Sequence, residues 1–167
     1  KVIGLLQQVL ETYPEVGFRA SQLLENIFRS AEMWEELVAL LELQLEQFQQ
    51  DVDPVERLRE LARIHEEHFE NVEKAMDCIS EAFKLEPESQ SLHDQMVNYA
   101  RLLDRFKELF DIYVDVLGRL DLPEERNQLR KKMSVLYHDE LHDVEHAEFI
   151  YRDILDDEPG DEFALTH

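Results

Sequence analysis

The sequence predicts an all-α chain built from recurring helix pairs. Helix breakers are scarce, with four glycines and five prolines in 167 residues, which favours long helices joined by short turns over sheets. The prolines are also spaced: Pro14, Pro87 and Pro159 stand 73 and 72 residues apart, each after an apolar-periodic stretch and an acidic turn. An apolar stripe at helical spacing returns four times along the chain.

The elements follow in order. A leading helix is expected over about Val2–Thr12, with Pro14 marking its stop. Trp34, Val72, Phe106 and Val144 then each open a helix, at intervals of 38, 34 and 38 residues. Three residues on stand Leu37, Ala75, Leu109 and Ala147. Four further come Leu41, Ile79, Tyr113 and Tyr151, and three more give Gln44, Ala82, Val116 and Ile154. These steps trace one face of a helix with a period near 3.6. Seven residues before each opener lie Ile27, His65, Tyr99 and Tyr137, ending a second stripe that runs back through Leu23, Leu61, Met96 and Met133. The pattern gives helix pairs near 17–48, 54–85, 89–120 and 123–156, and Gly160–Leu165 begins another helix. Pro54 and Pro123 suit the first helical turn. Polar loops are short and no low-complexity linker interrupts the chain, so 1–167 reads as a single repeat domain.

Composition narrows the function. Thirty-nine acidic against seventeen basic residues give a net charge of −22, which repels nucleic acid and attracts basic partners at long range. No apolar run approaches the roughly 20 residues that span a bilayer, so membrane insertion is not expected. The single cysteine, Cys78, rules out an intramolecular disulfide framework and fits a reducing, cytoplasmic setting. The chain opens at Lys1 and reads as an excised fragment.

The run Ala75-x3-Ile79-x2-Ala82-x4-Pro87 resembles the second-helix signature of the tetratricopeptide repeat family. Leu58, Leu61, Ala62 and His65 match that repeat's first-helix sites, with Leu for Trp, Ala for Gly and His for Tyr. The stretch Phe69-Glu70-Asn71-Val72-Glu73-Lys74-Ala75 is similar to the family's Leu-Gly-Asp-x-Glu-Lys-Ala turn. The likeness spans nearly the whole chain. It is best in the second pair and weakest in the first and third, where Leu37 and Leu109 replace the small residue. A larger residue there should hold the two helices of a pair apart. Aromatic anchors such as Trp34 and Tyr151 are shared with the half-a-tetratricopeptide repeats of RNA-processing scaffolds, which leaves that helical repeat as the alternative.

The resemblance implies a right-handed α–α superhelix, a solenoid that binds ligands on a concave face lined by first helices. Carried onto this chain, that face holds Phe18, Ser21, Glu25 and Phe28; Arg59, Arg63 and Glu66; His93 and Val97; Lys131 and His138; with Arg101 on its flank. The first helices carry a net charge of −5, leaving −17 of the −22 for the rest. Arg59, Arg63, Arg101 and Lys131 resemble the basic residues with which some family members clamp a terminal carboxylate. The asparagines of that clamp are missing, since Glu25, Val97 and Val135 occupy the equivalent positions. The same bases also have acidic neighbours on their own helices.

Other chemistry finds little support in the residues. His138, His142 and His146 recur every four residues, yet a turn is expected at His142-Asp143, so the three cannot share one helical face to bind a metal. His65 aligns with apolar and aromatic residues and reads as a packing histidine. Cys78 reads as a buried thiol. Neither a glycine-rich phosphate loop nor a nucleophile elbow is present. The expected function is therefore a non-enzymatic protein-interaction scaffold, without cofactor or metal, that binds a peptide or protein segment on its concave face. Self-association through the solenoid ends is a further expectation. The alternative is a structural or regulatory spacer within a larger protein or assembly, without a ligand of its own.

Overall fold

The computed structural model describes residues 4, 5, 8 and 14–167. The leading helix expected over Val2–Thr12 therefore lies largely outside the described residues. Among those described, nine helices and no strands are found. They are α1 (Pro14–Ser30), α2 (Trp34–Gln47), α3 (Pro54–Phe69), α4 (Val72–Leu85), α5 (Gln90–Leu103), α6 (Phe106–Leu117), α7 (Pro123–Asp139), α8 (Val144–Asp157) and α9 (Glu162–Thr166). The chain forms two compact units, Lys1–Leu85 and Glu86–His167. Within each unit every helix packs on its neighbour in sequence. No described helix is long and apolar enough to cross a membrane.

The second helices open at Trp34, Val72, Phe106 and Val144, where the repeat register sets them. All twelve positions of the second-helix stripe are buried, Gln44 among them. The starts have local causes. Asp53 caps α3, its carboxylate accepting from the N–H of Val55 at 2.9 Å and of Glu56 at 3.2 Å, with Pro54 as the first helical residue. Asp143 caps α8 by accepting from His146 N–H at 3.1 Å. Each turn within a pair places one non-glycine residue in the left-handed region, always two before the second helix: Glu32 (φ 55°), Glu70 (φ 51°), Asp104 (φ 54°) and His142 (φ 53°). Glu70 stands where the resembling repeat has glycine.

The pairs are not packed alike. Where the first interfacial residue is Ala75 or Ala147, the backbones of the pair run closely together; where it is Leu37 or Leu109, they approach over much less of their length. Side-chain size at one position thus sets the spacing, as the sequence leads one to expect.

Pro14, expected to mark a stop, is the first residue of α1, and the helix expected before it lies largely outside the described residues. One expectation needs correction in the first pair. The stripe through Leu23 and Ile27 is not buried; those residues are 66% and 56% exposed, and Phe28, at 3%, enters the core instead. The cause lies in α2. Gln44, fully buried on its stripe, takes Ser21 and Glu25 as hydrogen-bond partners, and this turns the face of α1 that also carries Phe28 toward α2. The unit 1 core then gathers Phe28, Leu37, Leu40, Leu41, Phe48, Leu61 and Ile64. In unit 2 the core is built on Leu92, Met96, Leu109, Tyr113, Leu129, Met133, Ala147 and Ile154.

Candidate functional site

In unit 1 the part of the expected binding face that α1 supplies is closed by its own side chains. Ser21 is fully buried and Phe28 belongs to the core. Phe18 packs on Phe48, ring centroids 5.1 Å apart. Glu25 is the centre of an ionic cluster that joins three helices. Its carboxylate accepts from Arg29 at 2.8 Å, from Arg57 at 3.0 Å and from Gln44 Nε2 at 3.1 Å. Glu60 closes the ring, pairing with Arg29 at 2.7 Å and Arg57 at 3.0 Å. Gln44 also donates to Ser21 Oγ at 3.2 Å. The buried Gln44 explains the change of role, because its bonds to Ser21 and Glu25 turn their face, which also carries Phe28, toward α2. Arg59 is half-buried, and Arg63 and Glu66 lie exposed on α3.

Unit 2 differs. Its first helices α5 and α7 flank a cleft of two adjoining cavities. The larger, of ≈ 680 Å³, is walled by Pro87 and Glu88 from the turn before α5, by Leu120 from the loop before α7, and by Glu125 and Leu129 of α7. The smaller, of ≈ 370 Å³, is walled by His93, Lys131, Val135, Leu136 and Phe163. Gln90, Gln128 and Lys132 border both. Of the residues expected to bind, the structure brings His93 and Lys131 into this cleft. It buries Val97 in the packing of unit 2. It holds Arg101 away from the cleft lining, fastened to Glu140 at 2.6 Å and to Asn98 at 3.0 Å. His138 is exposed and bonded to its neighbour Asp139 at 2.7 Å.

The electrostatics of the cleft follow from burial. His93 is 8% exposed and stacks on Tyr113. Burial pushes its pKa below the ordinary histidine value against the hydrogen bond of Asp94, so the ring is held neutral at pH 7. Lys131 is spoken for: it pairs with Asp161, and its Nζ lies 5.8 Å from the centre of the Phe163 ring. Lys132 is half-buried, and burial lowers its pKa against the pull of Asp94 and Glu88. Sequence reasoning missed Lys132, Leu120 and Phe163. The signal for Lys132 was its place beside Lys131, one residue round the same helix.

The remaining candidates are quiet. His142 sits in the α7–α8 turn and His146 on α8, bonded to Asp143 at 2.7 Å. Among the described residues no group of histidine, cysteine and carboxylate side chains could hold a metal. Burial raises the pKa of Cys78 to about 11, which leaves an unreactive thiol.

Residues 58–108 match a family described as the homodimerisation domain of SGTA. The match runs from α3 to the start of α6 and covers less than a third of the chain. No curated protein matches the chain. The chain thus carries a segment similar to a protein-interaction domain.

Proposed function

We propose that this chain is a protein-interaction module that takes an extended peptide or protein segment in the unit 2 cleft. One observation carries the reading: two adjoining cavities share Gln128, whose amide can donate to and accept from a passing backbone, and Gln90, whose Nε2 bonds Asp94 at 2.7 Å and whose oxygen can accept, beside the apolar walls of Leu120, Leu129 and Val135. The reading keeps the expected first-helix face but confines it to α5 and α7, and it involves no catalytic step. The tetratricopeptide likeness supports it.

The test is an array of octapeptides, N-acetylated and C-amidated, probed with the full chain. Gln128→Trp, which fills the cleft, should abolish retention, while Glu81→Ala on α4 should leave it unchanged. Retention unaffected by Gln128→Trp would refute the site.

A second reading has its own support. The similarity of residues 58–108 to a homodimerisation domain favours self-association through that segment. Sedimentation equilibrium over about a hundredfold range of concentration decides it. A mass fixed at the 19.9 kDa of one chain would sink it.

A further inference from the structure

The unit 2 cleft already holds, from its own chain, an example of what it can grip. Asp161 stands in extended conformation before α9 (φ −67°, ψ 112°) and pairs with Lys131. Two residues on, the Phe163 ring lines the smaller cavity and faces the same ammonium. An acidic side chain followed two positions later by an apolar ring therefore seats on Lys131 of α7. Lys132, the other lysine of that pair, borders both cavities. It forms no ion pair among the described residues, and Asp94 and Glu88 act on it only from a distance.

Resting on the reading of the cleft as a peptide site, we propose that Lys132 recognises an internal acidic side chain of the bound segment, with an apolar residue two positions away seated against Leu120 and Leu129. The sign of the partner's charge rests on the half-buried ammonium at the border of the two cavities, against the carboxylates of Glu88 and Glu125 in the wall of the larger one. A carboxylate supplies the pairing that burial withholds, whereas a cation would meet Lys132 at close range. The internal position follows from the shared border. The two cavities lie on either side of Gln90, Gln128 and Lys132, so a chain that occupies both crosses these residues rather than ending there. The net charge of −22 opposes an acidic segment at long range, so selection depends on close contact within the cleft.

The experiment uses the blocked octapeptide array, each position carrying in turn an acid, its amide, a base or leucine. The probes are the full chain as wild type, Lys132→Met, Lys132→Arg and, as control, Lys107→Met on α6, with folding checked by circular dichroism. Wild type should prefer Glu or Asp over Gln or Asn at one internal position by about tenfold or more, the worth of one charge-assisted bond. Lys132→Met should erase the preference, Lys132→Arg should keep part of it, and Lys107→Met should keep it whole. Peptides held without any acidic preference would overturn the inference and leave the cleft a peptide site. The same holds if a free carboxyl terminus is required, or if basic peptides are preferred. An array that retains nothing would remove the peptide reading itself, and this inference with it.

Discussion

The spacing of the helix pairs can be tested by exchanging the residues that set it. Ala75 and Leu37 occupy the same register position and both are fully buried, but the α3–α4 pair is tight and the α1–α2 pair is not. Ala75→Leu adds three carbon atoms where two backbones already run close. Overpacking of this kind costs about 1–3 kcal/mol. Leu37→Ala removes the same three atoms from an interface built around them, and the residual cavity brings the cost to about 2–5 kcal/mol. In a chain of this size each kcal/mol moves Tm by about 2–4 °C. The expected losses are therefore about 2–12 °C for Ala75→Leu and about 4–20 °C for Leu37→Ala. Thermal unfolding followed by circular dichroism at 222 nm reads both. An unchanged Tm for Ala75→Leu would mean that no helix crosses close at residue 75. An unchanged Tm for Leu37→Ala would mean that the leucine does not hold α1 and α2 apart. Either result refutes the idea that this one position sets the spacing.

Other expectations are equally direct. Glu70→Gly should raise stability by up to about 1 kcal/mol in urea titration, since Glu70 sits at φ 51° and glycine adopts that conformation without the Cβ penalty. Glu25→Ala should cost about 1–2 kcal/mol, discounted for partial exposure, because it leaves Arg29, Arg57 and the buried Gln44 with fewer acceptors; a loss confined to low salt would instead mean a surface effect. His65 has its pKa lowered first by burial and then by Lys74. The unfolded chain then takes up the proton more readily, so stability should fall as pH drops below about 6.5 toward the lower folded value. Comparing wild type with His65→Phe by urea titration at pH 7.5 and 5.5 checks this: the stability of wild type minus that of His65→Phe should be smaller at pH 5.5, and a constant difference would refute it.

The repeat was legible because its second helices bury the same register positions. Twelve residues at fixed offsets from Trp34, Val72, Phe106 and Val144 all turned inward, although their chemistry ranges from alanine to glutamine. The first helix of the first pair was misread for a reason no periodicity reveals. Leu23 and Ile27 form as good a stripe as the one actually buried, and the need of the buried Gln44 on α2 for polar partners decides between them. The same need consumed Ser21 and Glu25 as structure, with Phe28 on their face. In unit 2 the expected His93 and Lys131 reached a cleft, one from α5 and the other from α7. Lys132 escaped notice since its role depends on Leu120 and Pro87, which come from loops before α7 and α5. Sequence spacing says little about where loops bring their side chains.

Alternation of close and open pairs also bears on how the fold breathes. In a repeat chain, stability is the sum of what each repeat holds internally and what it shares with its neighbours. Each compact unit here contains one alanine-spaced pair and one leucine-spaced pair. The alanine-spaced pairs, α3–α4 and α7–α8, have the denser backbone packing and should act as local anchors from which order spreads. Native-state hydrogen exchange should therefore be periodic along the chain, slow in α3–α4 and α7–α8 and faster in α1–α2 and α5–α6. The helix α5 that borders the cleft falls in a fast segment and α7 in a slow one. A segment entering the cleft would thus lie between a fixed wall and a yielding one, and its arrival should register chiefly as slowed exchange in α5.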